Sequence, residues 1–311
     1  LVRHRANLVG GASREVQHIQ KGLQQMNLHL HHVVSDVMGA TGKRILKAIL
    51  AGERDLDELL KLRDERISRS TPEEMKKALQ GDFRPELLFA VGQALEMYEF
   101  LHRQMDACDQ QIAQALAQIE IASVESNQNS LAEPQSSKSI PSQEQCTGQG
   151  RPAKKKKKAR QTRKANDPKI DLKPELTRIF GIDLTETLGL RVLSVLVFLS
   201  EVGFDLSRFP NAKAFSAWLG LCPNNKISGG KILSSHTKRV VNRVAVMLRL
   251  AAVAIGKTDT CLGWFYRRKC TKLGPAGAAT ATARKLACIL YYLITRREQY
   301  VEPDLLAYQQ K

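Results

Sequence analysis

The chain has 311 residues, 43% hydrophobic and 25% charged, which is ordinary globular composition with length enough for two domains. Its 48 basic and 31 acidic residues leave a net charge of +17, so the expected partner is a polyanion, either nucleic acid or an anionic membrane surface. A membrane span is excluded by the most apolar run, residues 188–199, which Arg191 interrupts and which is too short for a bilayer; with no signal peptide at the start, a cytoplasmic or nucleoid-associated protein without membrane partners is expected.

In chain order, Val9, Ala12, Val16, Ile19, Leu23, Met26, Leu30 and Val33 alternate by three and four. That spacing predicts one long helix carrying a coiled-coil seam. His29, His31 and His32 would fan over different faces of such a helix, so they read as solvated positions and no metal site is expected. The helix ends near Gly39 and Gly42, where the pattern G-x-T-G-x-x-I resembles a helix-hairpin-helix turn whose amides can hold a phosphate; a plain tight turn is the alternative. Thr71, Pro72, Glu73 and Glu74 mark the start of a short helix. Pro85 then opens the longest one, with Leu87, Val91, Ala94, Tyr98, Leu101, Met105, Cys108, Ile112, Ala115 and Ile119 as a second seam. Two such seams pack antiparallel within one chain, pair between chains, or do both. Asp55, Asp57, Glu58, Asp64 and Glu65 lie among basic residues and read as solvated faces.

From Ser123 to Pro168 the periodicity vanishes, as expected of a disordered linker. Within it residues 151–164 hold nine basic residues, among them Lys154, Lys155, Lys156, Lys157 and Lys158, and no acid. Such a run binds phosphates without reading sequence. The last domain opens near Pro174 with a second helix-hairpin-helix-like turn about Gly181 and Gly189. A helix follows whose buried face is expected to be Leu190, Leu193, Val197 and Ser200. Trp264, Phe265 and Tyr266 interleave with Arg267, Arg268 and Lys269, which suits either stacking on nucleic acid or anchoring in the core. An alanine-rich helix over residues 276–292 closes the chain. The six cysteines form no C-x-x-C pair and read as reduced thiols.

Between Asp205 and Asp259 no acidic residue occurs, while Arg208, Lys213, Lys226, Lys231, Lys238, Arg239, Arg243, Arg249 and Lys257 are basic. The segment begins with an apolar helical turn ended by Gly220 and Pro223. It then passes through a polar loop, residues 224–235, and enters a helix near Thr237 with Val241, Ala245, Leu248 and Ala252 on one face and Lys238, Asn242 and Arg249 on another. Ser228, Gly229 and Gly230 occupy the loop, where backbone without side chains can approach a ligand closely.

The ordered blocks AWLGLCP at 217–223, SGGK at 228–231, TK at 237–238, NR at 242–243 and LRLAA at 248–252 resemble the C-terminal serine domain of the insertion-sequence transposases of the IS-one-ten group. The resemblance continues through Phe265 to Arg268 and Ala283 to Ala287. It implies that Ser228 is the nucleophile on a DNA phosphodiester. The charge and the glycine loop read as a DNA-holding surface of Lys226, Gly229, Gly230, Lys231, Lys238, Arg239, Asn242, Arg243 and Arg249, with Lys154 to Lys158 adding contacts. The resemblance further implies a guide RNA, a homo-oligomer built through the coiled coil, and Mg2+ in an acidic, Holliday-junction-resolvase-like domain. No counterpart of that domain precedes Leu1, and a first residue other than Met reads as a piece of a longer protein.

From the residues alone, Ser228 reads as a turn serine bonded to its own backbone, and only the resemblance reverses that reading. A serine hydroxyl is a weak nucleophile without a base, metal or field to activate it, and His236 is the one neutral base candidate in the loop. The expectation is therefore an all-α protein. A coiled-coil helical module spans residues 1–122, a basic disordered linker 123–170, and a compact helical serine domain 171–311. The expected function is DNA transposition or site-specific recombination, the fragment alone being inactive. The alternative is a non-catalytic DNA- or RNA-binding relic or regulator that assembles with a full-length transposase.

Overall fold

The first helix, α1 (Val2–Gln25), ends earlier than its apolar spacing predicts. Asn27 turns left-handed at φ 58°, the amide of Asn27 donates to the carbonyl of Gln24, and the amide of Leu28 donates back to Leu23. This is a Schellman stop with asparagine in the place glycine usually takes, and the C″ residue Leu28 is buried. Leu30 and Val33 consequently belong to a separate turn, α2 (Leu30–Val33), although both remain buried. The computed structural model describes residues 1–64, 70–119, 166–234, 237, 240–303 and 305, but not the side chains of Lys226 and Ile232.

Three short helices follow: α3 (Ala40–Leu50), α4 (Leu56–Lys61) and α5 (Pro72–Ala78). α5 starts with the expected signal, a full capping box between Thr71 and Glu74 with Pro72 in the first turn. Then α6 (Pro85–Ala117) runs back along α1. Arg5 meets Asp109, Gly11 faces Leu101 and Gly22 faces Val91, so the two helices are antiparallel and each seam covers the other. A Cβ on Gly22 would come within 2.4 Å of Val91; the glycine allows the close crossing. Toward its end the α6 seam drifts, leaving Ala115 exposed while Leu116 is buried. A strict seven-residue repeat gains about 20° per heptad on a straight 3.6-residue helix. The apolar pattern did not show one feature of the pair: buried Arg5 forks onto the buried carboxylate of Asp109.

The C-terminal helices are α7 (Lys173–Phe180), α8 (Val192–Val202), α9 (Ala212–Trp218), α10 (Arg243–Ile255) and α11 (Cys261–Arg296), with a 3-10 turn at Leu184–Glu186. Phe180, Phe198, Phe209, Phe215, Trp218 and Tyr291 form a chain of ring contacts, with successive centroids 5.1–6.1 Å apart. Edge contacts of this kind supply large apolar burial with fixed geometry. α8 buries Val195, Leu196, Phe198, Leu199 and Val202 rather than the expected stripe at Leu193, Val197 and Ser200. Being apolar almost all round, it gave no single face to read. α10 and α11 pack together, and both are rich in buried alanine, Ala245, Ala251 and Ala252 on one and Ala278, Ala279, Ala283 and Ala287 on the other. α11 is broken at Gly274 (φ 71°, ψ 172°), and Pro275 opens its second half. That second half is the expected alanine-rich helix.

Among the described residues the fold is all-α apart from one hairpin, β1 (Lys226–Ser228) with β2 (Lys231–Ser234). Residues 1–118 and 168–311 form one compact unit. Arg3 of α1 pairs with Glu201 of α8 through two bonds of 2.9 and 2.7 Å. Arg178 of α7 donates to the carbonyl of Leu116 at the end of α6 at 2.8 Å. No helix is long and apolar enough to cross a membrane among the described residues. Cys108, Cys222, Cys261, Cys270 and Cys288 are free thiols.

Candidate functional site at the serine hairpin

The loop expected at residues 224–235 is an antiparallel ladder in which Ser228 pairs with Lys231 across Gly229 and Gly230. Both glycines have positive φ, 54° and 74°, as a two-residue hairpin turn of the primed kind requires. A Cβ at either would meet nothing within 4 Å; the backbone angle, not crowding, calls for glycine here. An isolated bridge between Pro223 and Thr237 closes the base of the arm. Ile227 and Leu233 are 63% and 70% exposed, so neither of these described apolar side chains is buried on the helices, and Ser228 and Lys231 are exposed at the tip. Short polar strands with exposed apolar residues carry no burial pattern, which is why the sequence reads as a loop.

No described group hydrogen-bonds the Ser228 hydroxyl, neither its own backbone nor a base. His236, Lys238 and Arg239 lie outside the described residues, as do Lys154 to Lys158 and the rest of the basic run, and only the backbone of Lys226 is described. α10 begins at Arg243, not near Thr237, because Asn242 caps it: its Oδ1 accepts the amides of Val244 and Ala245 at 2.9 and 3.3 Å. The helix therefore buries Val244, Ala245, Leu248, Ala251, Ala252 and Ile255, while Val241 lies outside it and is fully exposed. Arg243 is exposed and Arg249 half-buried. Arg243 also bears on Glu201, whose carboxyl is held below its ordinary value first by its bonds to Arg3 and further by the charges of Arg3 and Arg243.

Other cations of this segment are engaged inside the chain. Arg208 lies over the rings of Phe209 and Trp218 at 4.8 and 5.2 Å and donates to the carbonyl of Val202. Arg267 donates to the carbonyls of Gly256 and Thr258, and Arg268 and Lys269 lie over Trp264 and Phe265. These aromatics are half-buried, as core anchors with their own cations would be. The turn about Gly189 is also used internally. A Cβ there would come within 2.8 Å of Ile255, and the amides of Gly181, Thr187 and Leu190 are bonded to nearby carbonyls. At the first glycine turn, Met38 donates to Asp36 Oδ1, and a Cβ on Gly42 would strike the carbonyl of Val37.

Residues 183–267 match the profile of the Transposase IS116/IS110/IS902 family. That transposase match runs from the 3-10 turn through the hairpin and α10 into the first half of α11, and so contains Ser228. It supports a transposase with a role in transposition. No curated protein and no solved structure matches the chain. Among the described residues the only group of three or more His, Cys, Asp or Glu side chains placed to share an ion is histidine alone. Imidazole nitrogens alone do not suit Mg2+, which takes oxygen ligands, so this described group does not fit the Mg2+ that the resemblance assigns to a separate acidic domain.

Proposed function

We propose that this chain is the DNA-handling serine part of a transposase, with Ser228 as the nucleophile of strand exchange. The observation that carries the reading is the position of Ser228, inside the transposase match, solvent-exposed beside a Gly-Gly hairpin tip and flanked by Lys231. A duplex backbone is a convex, charged target, and a projecting arm reaches it where a pocket would not. In the step proposed, Ser228 Oγ loses its proton and forms a bond to phosphorus, a phosphorus–oxygen bond of the DNA strand breaks, and the leaving sugar oxygen takes up one proton, so that the hydroxyl's proton is balanced by the one the sugar gains. The hydroxyl has no base among the described residues, so its activation falls to His236 or to a second body docked on the arm. Exposed Lys231 and Arg243 are the described cations suited to phosphate contact, and the run Lys154 to Lys158 adds contacts blind to sequence.

DNA, a guide RNA and further copies of the chain are the proposed partners. Each seam is covered within the chain, so oligomers would form through the outer face of α6, where Phe89, Met97 and Phe100 remain exposed. The competing reading, a non-catalytic binding protein, is favoured by the unactivated hydroxyl. The two separate in a donor–target plasmid recombination assay using the reading frame that encodes this chain. The nucleophile reading requires Ser228→Ala to abolish exchange while leaving DNA binding nearly intact; exchange at the unsubstituted level would leave the arm as a DNA clamp.

A further inference from the structure

The stop at Asn27 changes what the adjacent histidines can do. Because α1 ends there and α2 covers only one turn, His29, His31 and His32 do not fan outward as they would on a continuous helix. Their ring centroids lie 4.1, 5.6 and 6.1 Å apart, and one ligating nitrogen from each falls within 4.8 Å of the others. Three nitrogens around a tetrahedral zinc-type ion at about 2.0–2.1 Å are roughly 3.4 Å apart, so small ring rotations close the remaining distance.

His29 is already set as a ligand would be. Its amide donates to the carbonyl of Ala78 at 2.8 Å, tying it to α5, and its Nε2 is 3.0 Å from Asn27 Oδ1. An amide oxygen only accepts, so Nε2 carries the proton and Nδ1 the lone pair. That Nδ1 is buried and has no hydrogen-bond partner, an arrangement that costs stability unless something accepts the lone pair. A histidine held through one ring nitrogen by an oxygen, with the other free, is the usual outer-shell arrangement of metal-binding imidazole. His32 is exposed at a cleft shared with Ser70, Glu74 and Lys77, which gives an ion a way in.

We propose that His29, His31 and His32 bind one divalent transition-metal ion of the zinc type, with solvent in the remaining position, and that Asn27 orients His29 for it. The site is independent of Ser228 and of strand exchange. Bound, the ion would clip the joint between α1, α2 and α5.

The test uses the whole chain, free of any histidine tag and stripped of metal. Zn2+ is titrated in competition with a chromophoric chelator, and Co2+ is followed by its visible absorption. One equivalent should bind and raise the unfolding midpoint. His32→Ala, a change at an exposed position, and His29→Gln should each weaken binding at least about 100-fold. Asn27→Gly keeps the left-handed backbone but removes the amide oxygen, and should weaken it about 10-fold. His18→Ala should leave it unchanged. Circular dichroism confirms that each variant is helical. Three results would each overturn the site: no Zn2+ bound by the folded chain, undiminished affinity in His32→Ala, or a thiolate-to-cobalt band that places the ion on cysteine.

Discussion

Asn242 and Ser228 are small polar side chains on either side of the second strand, and the structure gives them opposite situations. Asn242 is engaged by its own helix, closing the first turn of α10 with two accepted bonds. Ser228 is engaged by nothing described. Asn242→Ala should cost about 1 kcal/mol of stability, the usual value of a lost N-cap, and change DNA affinity less than two-fold. Denaturant unfolding and a binding titration on the same sample check this. A large affinity loss at unchanged stability would make Asn242 a DNA contact, as its place in the NR block suggests.

At the scale of elements, the antiparallel pair of α1 and α6 depends on its one buried ion pair. Removing one partner leaves the other charge buried, so Asp109→Ala should destabilise the fold by about 3–5 kcal/mol, read from the midpoint of urea unfolding. His102, packed on Tyr98 at 4.3 Å, supplies a pH dependence. Burial first, and Lys43 next, hold its pKa below the ordinary 6.5, while Asp106 opposes them. A depressed folded value means that the unfolded chain binds the proton better. The stability is fully present above pH 6.5 and is lost as pH falls toward the folded value. Thermal melts between pH 7.5 and 5.5 should show a smaller loss for His102→Gln than for the unsubstituted chain. The helices themselves were legible in the sequence: Thr71 with Pro72 and Pro85 mark true starts, and the seams are buried or half-buried except at Ala115. Three features were not. The Asn27 stop lacks the glycine that signals a left-handed cap, Arg5 and Asp109 are too far apart in sequence for any local pattern to pair them, and the hairpin's short strands are polar and too brief to show an alternation. The serine was legible only through its blocks of neighbours, because nothing chemical beside it distinguishes it from a turn residue.

At the scale of the whole molecule, the chain carries a helical body and a basic run that lies outside the described residues. If that run supplies phosphate contacts, deleting residues 151–164 should weaken binding equally for all DNA sequences and flatten the salt dependence, each lost contact lowering the log–log slope by about 0.9. An unchanged slope would make the run a spacer. The central claim, that a projecting arm delivers Ser228 to a phosphodiester, is tested most directly by trapping the covalent intermediate. Protein expressed from the full reading frame is quenched during strand exchange, digested, and the DNA-linked peptide sequenced by mass spectrometry. The account predicts a phosphate-linked nucleotide on Ser228 and none in Ser228→Ala. A linkage on any other residue, or robust exchange by the alanine variant with no adduct at all, would contradict it.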